Sequence, residues 1–399
     1  MLQISHKAAA MPASPIRKLV PFATQAKAKG INILHLNIGQ PDIKTPEVVL
    51  NRLKNLDRKI IEYSNSEGFG EYREKLAAYY QKLGIPVKSG HILITTGGSE
   101  AITFTMMTCF NPSDEVIIPE PYYANYSGFA SMAGIHVAPI TATIDTGFAL
   151  PTAEAFEKLI TSNTKGILLC NPGNPTGYLY SQDEIQAIAK LAKKHNLYLI
   201  VDEVYREFCY DGAEPFSAFN LEGMDENVIL IDSVSKRYSM CGARIGALIT
   251  RNQNVYNGVM KFAQARLSPP TLGQIAAEAA LETPHSYFED VINEYTERRN
   301  FLVDGLNKIP GVFCPKPGGA FYAMARLPID NSDRFCQWLL ETYSYNNETI
   351  MLAPATGFYI TKGLGEKEVR MAYVLKIEDL RRALIILEKA LDEYPGKTN

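Results

Sequence analysis

The stretch Ser233-Val-Ser-Lys-Arg-Tyr-Ser-Met-Cys-Gly-Ala-Arg-Ile-Gly246 decides how this chain of 399 residues is interpreted. It follows the apolar run 228–231, which is typical of a strand buried on both faces. Two serines and Lys236 come directly after this predicted strand, and Arg244 follows eight residues later. Hydroxyl and guanidinium groups suit a phosphate, because together they offer several donors to a compact dianion. The stretch therefore predicts a phosphate site beside Lys236.

A lysine in such a place has a specific chemistry. Burial and nearby positive charge both disfavour an ammonium, so they favour the neutral amine. A neutral amine attacks carbonyl carbon, and Lys236 beside a phosphate site thus predicts a Schiff base to a phosphorylated aldehyde. A solvated lysine in a basic turn is the plainer interpretation of a short motif, and on this stretch alone it stays open.

Length and composition exclude several classes of protein. The chain is 46% hydrophobic and 21% charged, as in ordinary globular proteins, and its length predicts two domains. A net charge of −3 gives no electrostatic reason to expect nucleic acid or an anionic membrane as a partner. Its six cysteines are scattered without a C-x-x-C pair, which predicts free thiols in a reducing compartment. With no signal-peptide pattern and no membrane-length apolar run, we expect a cytoplasmic protein.

Between residues 92 and 250, short apolar strands alternate with helices. Their apolar residues are continuous, which is typical of a parallel sheet covered on both faces. We expect an α/β fold with a large domain, residues 41–283, built on a mostly parallel seven-stranded sheet flanked by helices. A long helix and mixed elements follow, and they predict a smaller α+β domain of residues 284–399 completed by the N-terminal arm, 1–40. The predicted strands are 92–95, 115–118, 136–140, 166–170, 198–201, 228–231 and 247–249.

Four of these strands end in residues that could bind a ligand, and ligands of open α/β sheets bind at the carboxyl ends of the strands. Gly97-Gly-Ser opens a helix, whose free N–H groups favour an anion. Asp202 ends an apolar strand, so its buried carboxylate requires a cation such as a pyridinium nitrogen. Asn174 and Tyr205 could donate to a phenolate oxygen. A capped helix or a turn explains each segment taken singly, whereas their arrangement along one edge favours a binding site.

Three signatures resemble the class I/II aminotransferases, the fold type I pyridoxal-phosphate (PLP) enzymes of the aspartate aminotransferase superfamily. They are Ser-x-Ser-Lys with Gly-x-Arg-x-Gly, Asn-Pro-x-Asn-Pro-Thr-Gly, and Asp-x-x-Tyr, in the order of that family. The resemblance implies PLP on Lys236, with Asp202 at the ring nitrogen. It implies that Asn174 and Tyr205 contact the ring oxygen. The remaining cofactor contacts that it implies are the phosphate ligands Gly98, Ser99, Ser233, Ser235 and Arg244, and the stacking residue Tyr123.

The same resemblance implies contacts to the substrate and to a second subunit. Arg370, in Val-Arg-Met-Ala-Tyr, resembles the arginine that binds the substrate carboxylate, and Gly39 resembles the glycine whose backbone faces it. Asn174 is expected to touch the substrate as well. Tyr63 resembles a tyrosine that reaches the cofactor phosphate of the neighbouring subunit, which implies a homodimer. No metal site is expected.

The implied reaction moves an amino group from an L-amino acid to a 2-oxo acid through a Lys236 aldimine. A β-elimination (C–S lyase) enzyme of the same fold needs the same lysine, aspartate and phosphate ligands, and it stays open as the alternative. Some aspartate-specific relatives have lysine where Ser99 stands. The absence of this lysine here counts against a dicarboxylic substrate. Aromatic residues in 318–322 and 355–359 favour an apolar or aromatic one instead.

Overall fold

The computed structural model describes residues 2–12 and 14–398, and a seven-stranded sheet between two layers of helices forms its centre. The strands are β1 Asn32–His35, β2 Ile92–Thr95, β3 Glu115–Glu120, β4 His136–Thr141, β5 Thr164–Cys170, β6 Tyr198–Asp202, β7 Val228–Ser233, β8 Gly246–Thr250, β9 Tyr322–Arg326, β10 Glu348–Met351, β11 Ala353–Pro354 and β12 Glu368–Ala372.

The α-helices are α1 His6–Ala10, α2 Val20–Ala28, α3 Glu47–Lys54, α4 Gly70–Lys82, α5 Gly97–Cys109, α6 Asn125–Ala133, α7 Ala153–Glu157, α8 Gln182–Lys194, α9 Val234–Arg237, α10 Gln253–Arg266, α11 Thr271–Ala280, α12 His285–Leu306, α13 Ser332–Glu341 and α14 Ile377–Glu393. Short 3-10 turns occur at Arg17–Leu19, Ser89–His91, Ile144–Thr146, Ala218–Asn220, Cys241–Ala243 and Ala355–Phe358.

The central sheet has the order β2-β8-β7-β6-β5-β3-β4, and within it only β8 runs antiparallel to its neighbours. Its central strands bury both faces. On β6, Leu199 and Val201 join one hydrophobic core, whereas Ile200 between them joins the other. A strand with apolar residues on both faces has a continuous apolar run in its sequence. All seven strands were predictable for this reason. The α/β architecture expected from the sequence is confirmed.

Four helices, α1, α3, α9 and α11, were not predicted, and α11 shows why a helix can be missed. Eight of its ten residues are buried, among them Thr271 and Gln274, and it packs against α3. A helix buried nearly all round lacks the polar face that gives an amphipathic pattern, so the sequence offers no periodic signal there. The sequence also predicts a strand over 33–38, and in the structure this strand is β1, which begins at Asn32 and ends at His35.

The remainder of the chain forms two smaller sheets. Strands β11, β12 and β9 make an antiparallel sheet in that order, and β1 pairs in parallel with β10. Through β1 the N-terminal arm therefore lies beside the C-terminal part of the chain. The division at residues 41–283 stays a prediction. None of the helices within 2–12 and 14–398 has the length and apolar character needed to cross a bilayer.

Candidate active site

A cavity of about 670 Å³ lies at the carboxyl ends of β5, β6 and β7. All the site residues predicted from the sequence line it, except Tyr63. Those that line it are Gly39, Gly98, Ser99, Tyr123, Asn174, Asp202, Tyr205, Ser233, Ser235, Lys236, Arg244 and Arg370. Tyr63 is 77% exposed and lies outside the cavity. The tertiary structure thus brings together residues that are up to about 330 positions apart.

Lys236 enters the cavity from the single turn of α9, directly after β7. Ser233 caps this turn, because its Oγ accepts from the Ser235 N–H. The Lys236 Nζ donates to the Gly39 carbonyl oxygen at 2.8 Å and lies 3.8 Å from the Cys241 Sγ. The next residue, Arg237, is buried on the other side of the turn. Successive side chains of an α-helix point about 100° apart around its axis. The adjacent residues Lys236 and Arg237 of α9 therefore lie in different surroundings.

Hydrogen-bond donors converge at one end of the cavity. The first N–H groups of α5 have no intrahelical partner, and they carry the positive end of the helix dipole. A side chain at Gly97 is excluded, since its φ is +77° and a Cβ there would lie 2.5 Å from the Arg244 Nη2. The Arg244 guanidinium is fixed by a 3.0 Å bond to the Cys241 carbonyl oxygen. With the hydroxyls of Ser233 and Ser235 at 2.8 Å from each other, this end of the cavity suits an anion.

Asp202 provides the opposite charge in the middle of the cavity. Its carboxylate is buried and accepts from the Tyr126 hydroxyl at 2.7 Å and from the Val204 N–H at 3.2 Å. Burial raises the pKa of Asp202 to about 6, although both of these hydrogen bonds lower it. Within the described part of the chain, no lysine, arginine or histidine forms an ion pair with it. A buried carboxylate in this state is ready to accept a cationic group of a ligand.

Arg370 on β12 is a buried cation whose partners are all neutral. Its Nη1 donates to the Asn174 Oδ1 at 3.0 Å, and its Nη2 donates to the Asn37 carbonyl oxygen at 2.6 Å. Its guanidinium lies between the rings of Tyr322 and Phe358, at 4.5 and 4.9 Å from their centroids. Burial lowers the pKa of Arg370, and its Nε has no partner among the residues described. Such a guanidinium can bind a carboxylate by donating hydrogen bonds to it.

Tyrosines surround the space between Asp202 and Arg370. The Tyr205 and Tyr322 hydroxyls are 2.9 Å apart, and burial raises the pKa of Tyr205, which keeps its hydroxyl available as a donor. The Tyr123 ring packs edge-on against Tyr126 at 5.4 Å. Gly39 faces Tyr322 so closely that a Cβ would overlap the tyrosine hydroxyl. The glycine in this position is therefore required by the approach of Tyr322.

Sequence reasoning missed several residues of the cavity. Tyr126 lies three positions after Tyr123, in the first turn of α6, but no local pattern links it to Asp202. Asn37 acts through its backbone carbonyl, which gives no sequence signal. The arm residues Met11, Pro12, Ser14, Pro15, Ile16, Arg17 and Val20 also line the cavity.

The expectation that the aromatic residues of 355–359 face the substrate needs correction. Tyr359, expected to face the substrate, instead donates to the Glu368 Oε2 at 2.6 Å, and Phe358 lies beneath Arg370 rather than in the cavity. Arg266 offers no second cation to a substrate, because it bonds the carbonyl oxygens of Ser66 and Ile94 and does not line the cavity. Part of the apolar lining comes from the N-terminal arm, and Tyr322 of the segment 318–322 also lines the cavity.

The charges around the cavity favour anionic ligands. Among the described residues that line it, four are basic, namely Arg17, Lys236, Arg244 and Arg370, and only Asp202 is acidic. A concave surface lined mainly by one sign of charge concentrates ligands of the opposite sign. The cavity is thus suited to a phosphate at one end and a carboxylate at the other.

Comparison with known proteins agrees with this arrangement. The family model described as "Aminotransferase class I and II" matches residues 31–385. An aspartate aminotransferase from Thermotoga maritima is 32% identical, covering 95% of this chain and 97% of the relative. An aromatic-amino-acid aminotransferase from Thermococcus litoralis is also 32% identical, covering 95% and 96%. Among solved structures, a single mutant of Thermus thermophilus aspartate aminotransferase has a TM-score of 0.89 at 29% identity, covering 98% of this chain and 100% of that one.

Proposed function

The chain belongs to the class I and II aminotransferase family and is a transaminase, and from this premise we propose that Lys236 holds pyridoxal 5′-phosphate in the cavity. The supporting observation is that the Lys236 amine shares one cavity with a convergent anion site and with a buried carboxylate that forms no ion pair among the described residues. An aldehyde, a phosphate and a pyridinium nitrogen are the groups that these three features would accept. When bound, the cofactor supplies an electron sink for negative charge on the substrate Cα.

The residues divide naturally by the part of the cofactor that they would hold. Asp202 would pair with the ring nitrogen, and its need for a cation supports this role. Asn174 and Tyr205 would donate to the ring oxygen, and Tyr123 would lie against the ring face. The phosphate would be held by Gly98, Ser99, Ser233, Ser235 and Arg244, which are the convergent donors at one end of the cavity.

The chain's own groups then account for substrate handling. Arg370 would bind the α-carboxylate through its paired N–H groups, beside the backbone of Gly39. Asn174, already bonded to Arg370, would orient that guanidinium. The Lys236 Nζ would take the proton from the substrate Cα and return it later in the cycle, as general base and acid. Its position 2.8 Å from the Gly39 carbonyl oxygen supports this, since Gly39 is proposed to face the substrate.

The reaction proposed is transfer of an amino group from an L-amino acid to a 2-oxo acid. The relatives reported above are named aminotransferases, which favours this reaction over β-elimination from a cysteine conjugate. They are named for aspartate and for aromatic amino acids at equal identity, so a panel of amino acids must identify the donor. Release of pyruvate and ammonia without consumption of a 2-oxo acid would favour the C–S lyase.

Borohydride reduction tests the assignment of Lys236. Treatment of the cofactor-loaded protein should attach the cofactor permanently to Lys236, and peptide mass spectrometry should find the added mass there. A Lys236→Ala variant serves as the control and should carry no such label. A label on any other lysine contradicts the proposal.

We also propose that two copies of the chain form a homodimer through the surface around Tyr63. Ile60, Ile61 and Tyr63 are exposed, and exposed Leu267 and Leu272 belong to the same surface because Thr271 Oγ1 bonds the Glu62 carbonyl oxygen at 2.6 Å. A large exposed apolar patch generally marks an interaction site. Tyr63 lies outside its own cavity, so its proposed phosphate contact requires the partner. Sedimentation analysis should give a dimer, and Tyr63→Phe should weaken cofactor retention.

For the domains and the compartment we retain the expectations from the sequence. The proposed large domain, residues 41–283, contributes Lys236 and Asp202, and the proposed small domain, with residues 1–40 and 284–399, contributes Arg370. All six cysteines are free thiols, which supports a reducing, cytoplasmic location.

A further inference from the structure

Glu120, the last residue of β3, is a completely buried carboxylate beside the cavity, with 0% of its surface exposed. Its Oε2 accepts from the backbone N–H groups of Ile360 and Thr361, at 2.8 and 3.1 Å. Its Oε1 accepts from the Thr141 hydroxyl at 2.9 Å. The carboxylate thus joins the end of a central strand to a segment about 240 residues later.

Burying the Glu120 carboxylate costs free energy, so a contribution to stability does not explain its presence. None of the described lysines, arginines or histidines forms an ion pair with Glu120, so three neutral donors alone balance its charge. Burying a charge without a counter-ion is expensive, and a neutral or apolar side chain fills such a place more cheaply. A carboxylate held there indicates that its hydrogen bonds serve a geometric purpose.

The segment that Glu120 holds leads directly to the substrate arginine. The Tyr122 N–H donates to the Phe358 carbonyl oxygen at 2.9 Å, so Phe358 is tied to the same strand end. The Phe358 ring is buried and lies 4.9 Å beneath the Arg370 guanidinium. Movement of residues 358–361 would therefore change the surface on which Arg370 rests.

We propose that Glu120 is a positioning residue for the substrate carboxylate site. By fixing Ile360 and Thr361 it holds Phe358 under Arg370, and it touches neither substrate nor cofactor. The inference rests on the proposed role of Arg370 in binding the α-carboxylate.

Replacement by alanine gives the main effect. Glu120→Ala should raise KM for the amino acid by about tenfold, the equivalent of about 1.4 kcal/mol, because Arg370 loses its fixed support. Cofactor affinity should change by less than about twofold, and kcat less than KM, since residues 358–361 are not among those that line the cavity. An unchanged KM would overturn the proposal.

Two conservative variants separate the effect of the length of the Glu120 side chain from the effect of its charge. Glu120→Gln keeps one oxygen for Ile360 and Thr361, and its amide can donate to the Thr141 hydroxyl, so KM should stay within about threefold of the wild type. Glu120→Asp keeps the charge but is one methylene shorter, so it should resemble the alanine variant. The reverse order would overturn the proposal. These two variants also decide the matter if Glu120→Ala does not fold.

Thr141→Val is the matched control. It removes the partner of Oε1 and leaves both backbone contacts of Oε2, so KM should change by less than about twofold. A tenfold rise in this variant would mean that the carboxylate acts through β4 and would refute the role assigned to residues 358–361.

Hydrogen exchange gives a readout that does not depend on catalysis. In the purified protein, the amides of Ile360 and Thr361 should exchange at least about tenfold faster in Glu120→Ala than in the wild type, because they lose their acceptor. Faster exchange with an unchanged KM would overturn the positioning role alone. A wild-type protein without transaminase activity would instead contradict the proposed function, so the two failures are distinguishable.

Discussion

Two buried aspartates end neighbouring strands of the central sheet, Asp202 on β6 and Asp232 on β7. In the register of these strands Asp202 pairs with Ile231, so Asp232 is one residue further along and faces the opposite side. Asp202 faces the cavity, and its hydrogen-bond partners among the described residues, Tyr126 and Val204, are neutral. Asp232 accepts from the Arg237 Nη2 at 2.7 Å and from the Tyr80 hydroxyl at 2.6 Å. Both carboxylates are thus buried, but the charges around them differ.

Their pKa values differ accordingly. Burial raises the pKa of both, and for Asp202 it prevails, giving about 6. For Asp232 the positive charges of Arg237 and Arg206 outweigh burial and lower the pKa to about 2. The difference teaches that burial alone does not assign a role to a carboxylate. Asp232, whose charge is balanced by arginines, holds the turn that carries Lys236 in place. Asp202, whose charge is not balanced in this way, is available for a ligand.

The largest loss of stability is expected on replacing Asp232, the aspartate whose charge is balanced by arginines. Asp232→Ala leaves Arg237 and Arg206 buried with fewer partners and should lower the free energy of unfolding by about 3 kcal/mol. Urea denaturation measures this. Asp225→Ala is the control, since Asp225 pairs with Arg251 at 2.7 Å on the surface and should contribute less than about 1 kcal/mol. Equal losses in the two variants would contradict the comparison.

On the cavity side, catalysis should suffer instead of stability. Asp202→Asn removes the negative charge proposed to pair with the ring nitrogen and should lower kcat by about 10²–10³-fold. Steady-state kinetics with a saturating amino donor provides the measurement, and circular dichroism should show an intact fold. Near-normal kcat would remove Asp202 from the proposed site.

The raised pKa also predicts the pH dependence of stability in cofactor-free protein. Between pH 3.8 and about 6, native Asp202 keeps a proton that the unfolded chain has released, so stability falls as pH rises through this window. Asp202→Asn lacks this loss, and its stability relative to the wild type should rise by up to about 3 kcal/mol from pH 4 to pH 7.5. Denaturation curves with the same pH dependence in both proteins would refute the raised pKa.

The smallest effect concerns Tyr126, whose hydrogen bond lowers the pKa of Asp202. Tyr126→Phe should therefore raise that pKa further and reduce kcat/KM by about fivefold, equivalent to about 1 kcal/mol. Tyr122→Phe is a matched control, because the Tyr122 hydroxyl bonds Ser127 at 2.8 Å and not the aspartate. The pH profiles of both variants should separate them, with a shift only for Tyr126→Phe.

Much of the candidate site was predictable because its residues sit in local patterns. Lys236, Asp202 and Asn174 each follow an apolar strand within a short signature, and strand ends of a parallel sheet meet at one edge. Tyr126, Asn37 and the arm residues were not predictable in the same way. Their contacts join distant segments, and neither spacing nor composition encodes such a contact.

The sequence by itself determined the seven-stranded sheet and the family, because continuous apolar runs and short signatures are local properties of the chain. It also determined which residue types end the strands. Only the tertiary structure decided which of two buried aspartates has a counter-ion, since Arg206, Arg237 and Tyr80 reach Asp232 through packing on one side of the sheet. Electrostatic character depends on three-dimensional surroundings, and the sequence around Asp202 and Asp232 does not contain it.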